Sequence, residues 1–139
     1  MVIADTSLWI EYFKGGNEPA RAALRTLIRT EQVVLVGVVL AELLQGCRSS
    51  EDADTILSNL SGLSYLETSF STWKRAGEFS ASLRRKGVTL PLSDLIIGAL
   101  AIEHGYRVYT LDTHFKHIPG LKLYTPPYSP RAHKPISQA

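Results

Sequence analysis

Leu90-Pro91-Leu92-Ser93-Asp94-Leu95-Ile96-Ile97-Gly98-Ala99-Leu100-Ala101-Ile102-Glu103-His104 is the stretch whose reading decides the fold. Pro91-Leu92-Ser93 opens a helix over Asp94 to His104, and Leu95, Ile96, Ile97, Ala99, Leu100, Ala101 and Ile102 leave it almost no polar face. A helix that is apolar all round belongs inside a larger structure. Gly105 closes it, and Arg107 to Leu111 follows at once as an apolar strand. A central helix feeding directly into a buried strand is half of a β-α-β unit, so the flanking sequence should supply more of them.

It does so in both directions. Upstream, Phe70 to Lys86 reads as a helix with Phe70, Trp73, Ala76, Phe79 and Leu83 spaced three to four apart, and Lys74, Arg75, Arg84, Arg85 and Lys86 on the polar remainder. Before it lie a strand at Leu63 to Leu66 and a helix that starts at Ser49-Ser50-Glu51-Asp52 and ends at Gly62. Val38 to Gln45 is a very apolar helix preceded by a strand, Val33 to Val36. Near the N-terminus, Val2 to Asp5 is a strand and Leu8 to Lys14 a helix. A further helix carries Pro19 in its first turn and a stripe of Ala20, Ala23, Leu24, Leu27 and Ile28. Downstream, Leu121 to Tyr124 can form a fifth strand. The alternation predicts an α/β fold, a parallel sheet covered by helices on both faces, in one domain over residues 1–125. Residues 126–139 read as a Pro-rich, flexible C-terminal tail.

Composition sets limits on the class. The chain has 139 residues, 45% apolar and 20% charged, without an apolar run of the roughly 18 residues a membrane helix needs. The start Met1-Val2-Ile3-Ala4-Asp5 has no signal-peptide pattern, so a cytoplasmic location is expected. Cys47, the single cysteine, is expected as a small buried hydrophobe.

Four acids stand out against this background. Asp5 follows Ile3-Ala4, Glu42 sits inside Val38-Val39-Leu40-Ala41-Glu42-Leu43-Leu44, Asp94 follows Leu92-Ser93, and Asp112 follows Leu111. Asp5, Asp94 and Asp112 could each merely cap or charge a helix start. Capping does not explain Glu42. An ionised carboxylate beside buried chain is costly unless a cation pairs with it, and no Lys or Arg recurs beside these four, which points to a divalent metal. Ligands in open parallel sheets bind at the carboxyl ends of the strands, where all four can converge. Net charge is +2, from 15 basic and 13 acidic residues, so with the four acids set aside the rest of the chain is basic. That balance suits a polyanionic substrate.

Asp5-Thr6-Ser7-Leu8-Trp9-Ile10, Glu42 in its apolar helix, Leu90-Pro91-Leu92-Ser93-Asp94-Leu95-Ile96-Ile97 and Thr110-Leu111-Asp112-Thr113-His114-Phe115 together resemble the PIN-domain family, specifically VapC-type toxins of bacterial and archaeal toxin–antitoxin pairs. The likeness covers residues 1 to about 125, in the family's order. It implies a three-layer α/β/α fold with a central five-stranded parallel sheet, and a Mg²⁺- or Mn²⁺-dependent ribonuclease. It also implies neutralisation by a small cognate antitoxin, and a homodimer. Asp5, Glu42, Asp94 and Asp112 match the family's four acids, and Ser7 and Thr110 match polar positions that support the site.

A site of carboxylates without Cys suits Mg²⁺ or Mn²⁺ better than Zn²⁺, with Asp5 and Asp94 as the main ligands. Arg48, Lys74, Arg75, Arg84, Arg85 and Lys116 are the candidates for RNA phosphate contacts. His114 and His117 could instead share a zinc ion, but nothing completes such a site; with Lys116 they fit the rim better. Leu8, Trp9, Tyr12 and Phe13 have core spacing, with a share available to a partner surface. The alternative to the toxin RNase is a catalytically silent module of the same fold that holds RNA or antitoxin. A phosphoaspartyl enzyme is disfavoured because Ser7 stands where a second Asp is expected.

Overall fold

A computed structural model describes residues 1–127. Four parallel strands run through it in the order β3-β2-β1-β4, with β1 at Val2–Ala4, β2 at Val33–Val36, β3 at Ser64–Leu66 and β4 at Arg107–Tyr109. Val2 is in register with Val33 on one side and Arg107 on the other. β1 and β2 are buried along their whole length, as expected for strands covered on both faces. The helices are α1 (Thr6–Lys14), α2 (Glu18–Arg29), α3 (Gly37–Gln45), α4 (Ser50–Leu60), α5 (Phe70–Arg85) and α6 (Leu92–His104).

The fifth strand expected at Leu121 to Tyr124 is reduced to a single parallel bridge, Val108 to Leu123. The Val108 N–H donates to the Lys122 carbonyl at 3.0 Å and the Tyr124 N–H to the Val108 carbonyl at 2.8 Å. The ladder stops there because Pro126 and Pro127 have no N–H to extend it. The tail expectation falls, from residue 128 onward, outside the described residues.

α6 is the central helix the sequence demanded: Leu95 through Ala101 are all buried. It begins two residues earlier than expected, with Pro91 as its cap residue, so Asp94 sits in the first turn. At the other end Gly105 takes the left-handed conformation (φ 68°) that ends a helix cheaply only without a Cβ. α5 lies along α6 with Ala76, Phe79 and Leu83 of the expected stripe turned inward, but its first turn differs from the expectation. Thr72, Ala76 and Leu83 are buried, while Phe70 is 82% and Trp73 53% exposed. The small side chains at 72 and 76 permit the close approach.

Candidate active site

All strands being parallel, their carboxyl ends share one edge, and each acid reaches it from a different element. Asp5 caps α1: its Oδ1 accepts the Leu8 N–H at 3.3 Å. Glu42 projects from the middle of α3, Asp94 from the first turn of α6. Asp112 caps a 3₁₀ turn, Thr113–His117, by accepting the His114 N–H at 2.9 Å. Capping and site-building therefore coincide in Asp5 and Asp112. The four line one cleft of about 300 Å³ together with Thr6, Ser7, Ile10, Pro91, Ser93 and His114.

Two hydroxyls lock the strand side of the cleft. Ser7 Oγ donates to Asp5 Oδ1 at 2.6 Å and accepts the Leu111 N–H at 3.1 Å. Thr110 Oγ1 donates to Asp5 Oδ2 at 2.8 Å and accepts the Asp112 N–H at 2.8 Å. These bonds divert the backbone after Tyr109 away from strand pairing, which is why β4 ends before the expected Leu111. On the helix side, Thr6 Oγ1 donates to Glu42 Oε1 at 2.6 Å. The 3₁₀ turn is pinned by the buried Phe115 and by Ile118. Ile118 packs so closely on Gly98 that a Cβ there would lie 2.8 Å from its Cδ1. Gly98, one turn beyond Asp94 on α6, thus lets the Asp112 segment approach the Asp94 helix.

Burial raises the Asp5 carboxyl above its ordinary range, against the lowering effect of its bonds to Ser7, Thr110 and Leu8. Asp94 is pushed up to about 6, first by burial, then by the charges of Asp112, Asp5 and Glu42; His114 works the other way. Asp94 Oδ2 is buried and has no hydrogen-bond partner. An unpartnered buried carboxylate oxygen facing three other acids is an anionic site that wants a cation. The all-oxygen contribution of the four acids fits a hard divalent ion.

Ligand-type atoms of Asp94, Asp112 and His114 come within 4.8 Å of one another. His114 therefore joins the acids instead of standing at the rim with Lys116 and His117, and Thr6 is tied to Glu42, neither of which was expected from the sequence. The spacing Asp112-Thr113-His114 was the available signal for the first. His117 is exposed and does not line the cleft, so the two histidines do not pair on one ion there.

Of the phosphate candidates, Arg48, Lys74, Arg75, Arg84, Arg85 and Lys116 are all exposed and none lines the acidic cleft. Lys74 is engaged with Glu78 at 2.9 Å. A larger groove of about 530 Å³ adjoins the cleft, sharing Ile10 and Glu42 with it. It is lined also by Phe13 and Lys14 of α1, Leu43 of α3, Cys47 in the connection after it, and Asp52, Thr55 and Ile56 of α4. Cys47 is half-buried on this groove and not wholly in the core. Leu8 and Trp9 are buried, whereas Tyr12 and Phe13 are only partly so.

Residues 2–121 match the PIN domain family. The chain belongs to that family. Among curated PIN relatives, VapC ribonuclease Mb1587 of Mycobacterium bovis is 29% identical over 119 residues, 83% of this chain and 89% of the relative. Ribonuclease VapC of Rickettsia bellii is 28% identical over 134 residues, 91% and 96% of the two chains. A chain of the DNA-bound VapBC complex from Salmonella typhimurium superimposes with a TM-score of 0.77 at 25% identity, covering 88% of this chain and 96% of that one. Among the described residues the PIN fold has four paired strands and not five.

Proposed function

We propose that this PIN-domain chain is a metal-dependent endoribonuclease, the toxin of a two-component toxin–antitoxin pair acting in the cytoplasm. The observation that carries the reading is the convergence of Asp5, Glu42, Asp94 and Asp112 on one cleft with Asp94 Oδ2 left unpartnered. The names of the VapC relatives support RNA as the substrate.

Asp5 and Asp94 are the principal holders of Mg²⁺ or Mn²⁺, with Glu42 and Asp112 completing the pocket. A divalent ion bound there supplies an acidified water and neutralises charge building on the phosphodiester. The chain's own groups do the positioning. Ser7 and Thr110 fix both oxygens of Asp5 in place, and Thr6 orients Glu42. The exposed arginines and lysines outside the cleft hold RNA phosphates at a distance from the cut.

The partner is a small antitoxin protein, the reading favoured by the VapBC complex that the fold matches. The apolar groove between α1, α3 and α4 is the surface we assign to it, because a segment lying there would continue directly into the acidic cleft. A homodimer needs a further apolar face, and the exposed Phe70, Trp73 and Tyr65 provide one. No helix among the described residues is long and apolar enough to cross a membrane.

The test is incubation of antitoxin-free protein with total cellular RNA in Mg²⁺ or Mn²⁺, followed by mapping of new 5′ ends. Discrete cuts that vanish with chelator and in Asp5→Asn are expected. Cuts that persist in both controls, or none with either metal, would overturn the proposal.

A further inference from the structure

His114 stands out among the described residues of the cleft as the one imidazole beside the carboxylates. Its Nδ1 is turned inward, 3.1 Å from Asp112 Oδ1 and 4.0 Å from Asp94 Oδ2. The backbone that carries it is fixed by the Asp112 cap and by Phe115 and Ile118 beneath. The side chain is nevertheless 53% exposed, so packing does not explain its position. Asp94 Oδ2, the nearer carboxylate oxygen of α6, is the atom without a partner.

We propose that His114 is a ligand of the ion in this cleft through Nδ1, and that it makes the site favour Mn²⁺ over Mg²⁺. The inference rests on the metal-dependent reading above and adds to it a fifth protein group and an ion preference. An octahedral ion with ligands at about 2.1 Å sets neighbouring donor atoms about 3 Å apart and opposite ones about 4.2 Å apart. The two separations of Nδ1 from the carboxylate oxygens, 3.1 and 4.0 Å, fall in that span. Mg²⁺ gains little from an imidazole, since it prefers oxygen and keeps its waters; Mn²⁺, higher in affinity for nitrogen, gains a bond. If His114 only oriented Asp112, its loss would weaken both ions alike.

The experiment uses the full chain labelled with ¹⁵N-histidine and loaded with Mn²⁺, read by pulsed electron paramagnetic resonance. Coupling from a directly bound imidazole nitrogen is expected, and its disappearance in His114→Gln. In the same variant, Mn²⁺ affinity measured by titration should fall about tenfold or more, while Mg²⁺ affinity measured by competition should stay nearly constant. Mn²⁺ binding without nitrogen coupling overturns the proposal alone, as does an equal loss for both ions. Absence of Mn²⁺ binding to the unaltered chain overturns it together with the metal-dependent reading. The exposed position of His114 lets the variant fold, which circular dichroism verifies.

Discussion

On the strand side of the cleft, Asp5 accepts from the Ser7 and Thr110 hydroxyls and from the Leu8 N–H; on the helix side, Asp94 keeps an oxygen with no partner. Both carboxyls are raised by burial, but only one has protein donors to offset it. The difference teaches how a site can be rigid and still ready for a cation. One carboxylate is built into the fold by donors that need it. Its neighbour is held in place by α6 at an electrostatic cost that only an added positive charge, or a proton, relieves.

The largest expected effects put that contrast under direct test. Asp94→Asn and Asp5→Ala should each lower metal-dependent RNA cleavage by about 10³-fold or more if, as proposed, each is a principal ligand. Their effects on stability should be opposite in sign. Asp94→Asn removes a buried charge from among three others and should raise the melting temperature of chelator-treated protein near pH 7. Asp5→Ala strands two hydroxyls and an N–H, and should cost about 2 kcal/mol or more. Melting temperatures that move in the same direction for both variants would break the comparison.

The pH dependence sharpens it next. The Asp94 carboxyl lies near 6 in the folded chain, above its ordinary 3.8, so between those values the folded state binds the extra proton. Its contribution to stability is complete below about pH 4 and is lost as pH rises through about 6. Wild-type protein in chelator should therefore lose stability relative to Asp94→Asn between pH 4 and 7, as followed by thermal unfolding. Divalent ion should flatten that difference, since binding replaces the proton. A difference that is flat without metal would mean that the unpartnered oxygen carries no charge penalty.

How much of this was legible beforehand follows the same division. Glu42 was readable because a single acid in Val38 to Leu44 conflicts with every apolar neighbour, and α6 because it has no polar face at all. The strand Val33–Val36 came out with the bounds expected for it. The face of α5 was readable from Ala76 to Leu83 but not in its first turn, where Phe70 and Trp73 are exposed and Thr72 is buried. There, the apolar residues at 70 and 73 and the small Thr72 beside them allow more than one inward turn, and the packing partner chooses. The fifth strand failed for a local reason: Leu121 to Tyr124 has strand composition, yet the prolines just after it end the ladder at one bridge. Within the site, residue types announced the acids but not their hydrogen bonds. Nothing in Thr6 or His114 as letters says that one meets a residue 36 positions away and the other turns its ring between Asp94 and Asp112.

A smaller effect is expected at Thr110, whose hydroxyl joins Asp5 to the Asp112 backbone. Thr110→Val keeps the shape but leaves an N–H and a carboxylate oxygen short of a partner, for about 1–3 kcal/mol. Cleavage should fall mainly in kcat, since the loss is of ligand placement and not of RNA contacts. Ser7→Ala should behave similarly, and the double variant should lose less than the two singles combined, because both hydroxyls serve the same carboxylate. Additive losses would mean that Ser7 and Thr110 act separately and that the strand side is not one unit.

Thr6→Val probes the one side-chain tether on the helix side among the described residues and should have the smallest effect of the series. Thr6 Oγ1 holds a single oxygen of a half-buried Glu42, and solvent or metal can replace that bond. Unfolding free energy should shift by no more than about 1 kcal/mol, and cleavage by about tenfold at most, recoverable at higher metal concentration. The last point separates the two sides most finely. Metal can restore the aim of a carboxylate that only lacks a guide, whereas it cannot replace the hydroxyls that Asp5 needs in order to stay where β1 and β4 end. Failure of added metal to rescue Thr6→Val would show that the helix side too depends on its hydrogen bond for geometry, and that Asp94 alone is held without one.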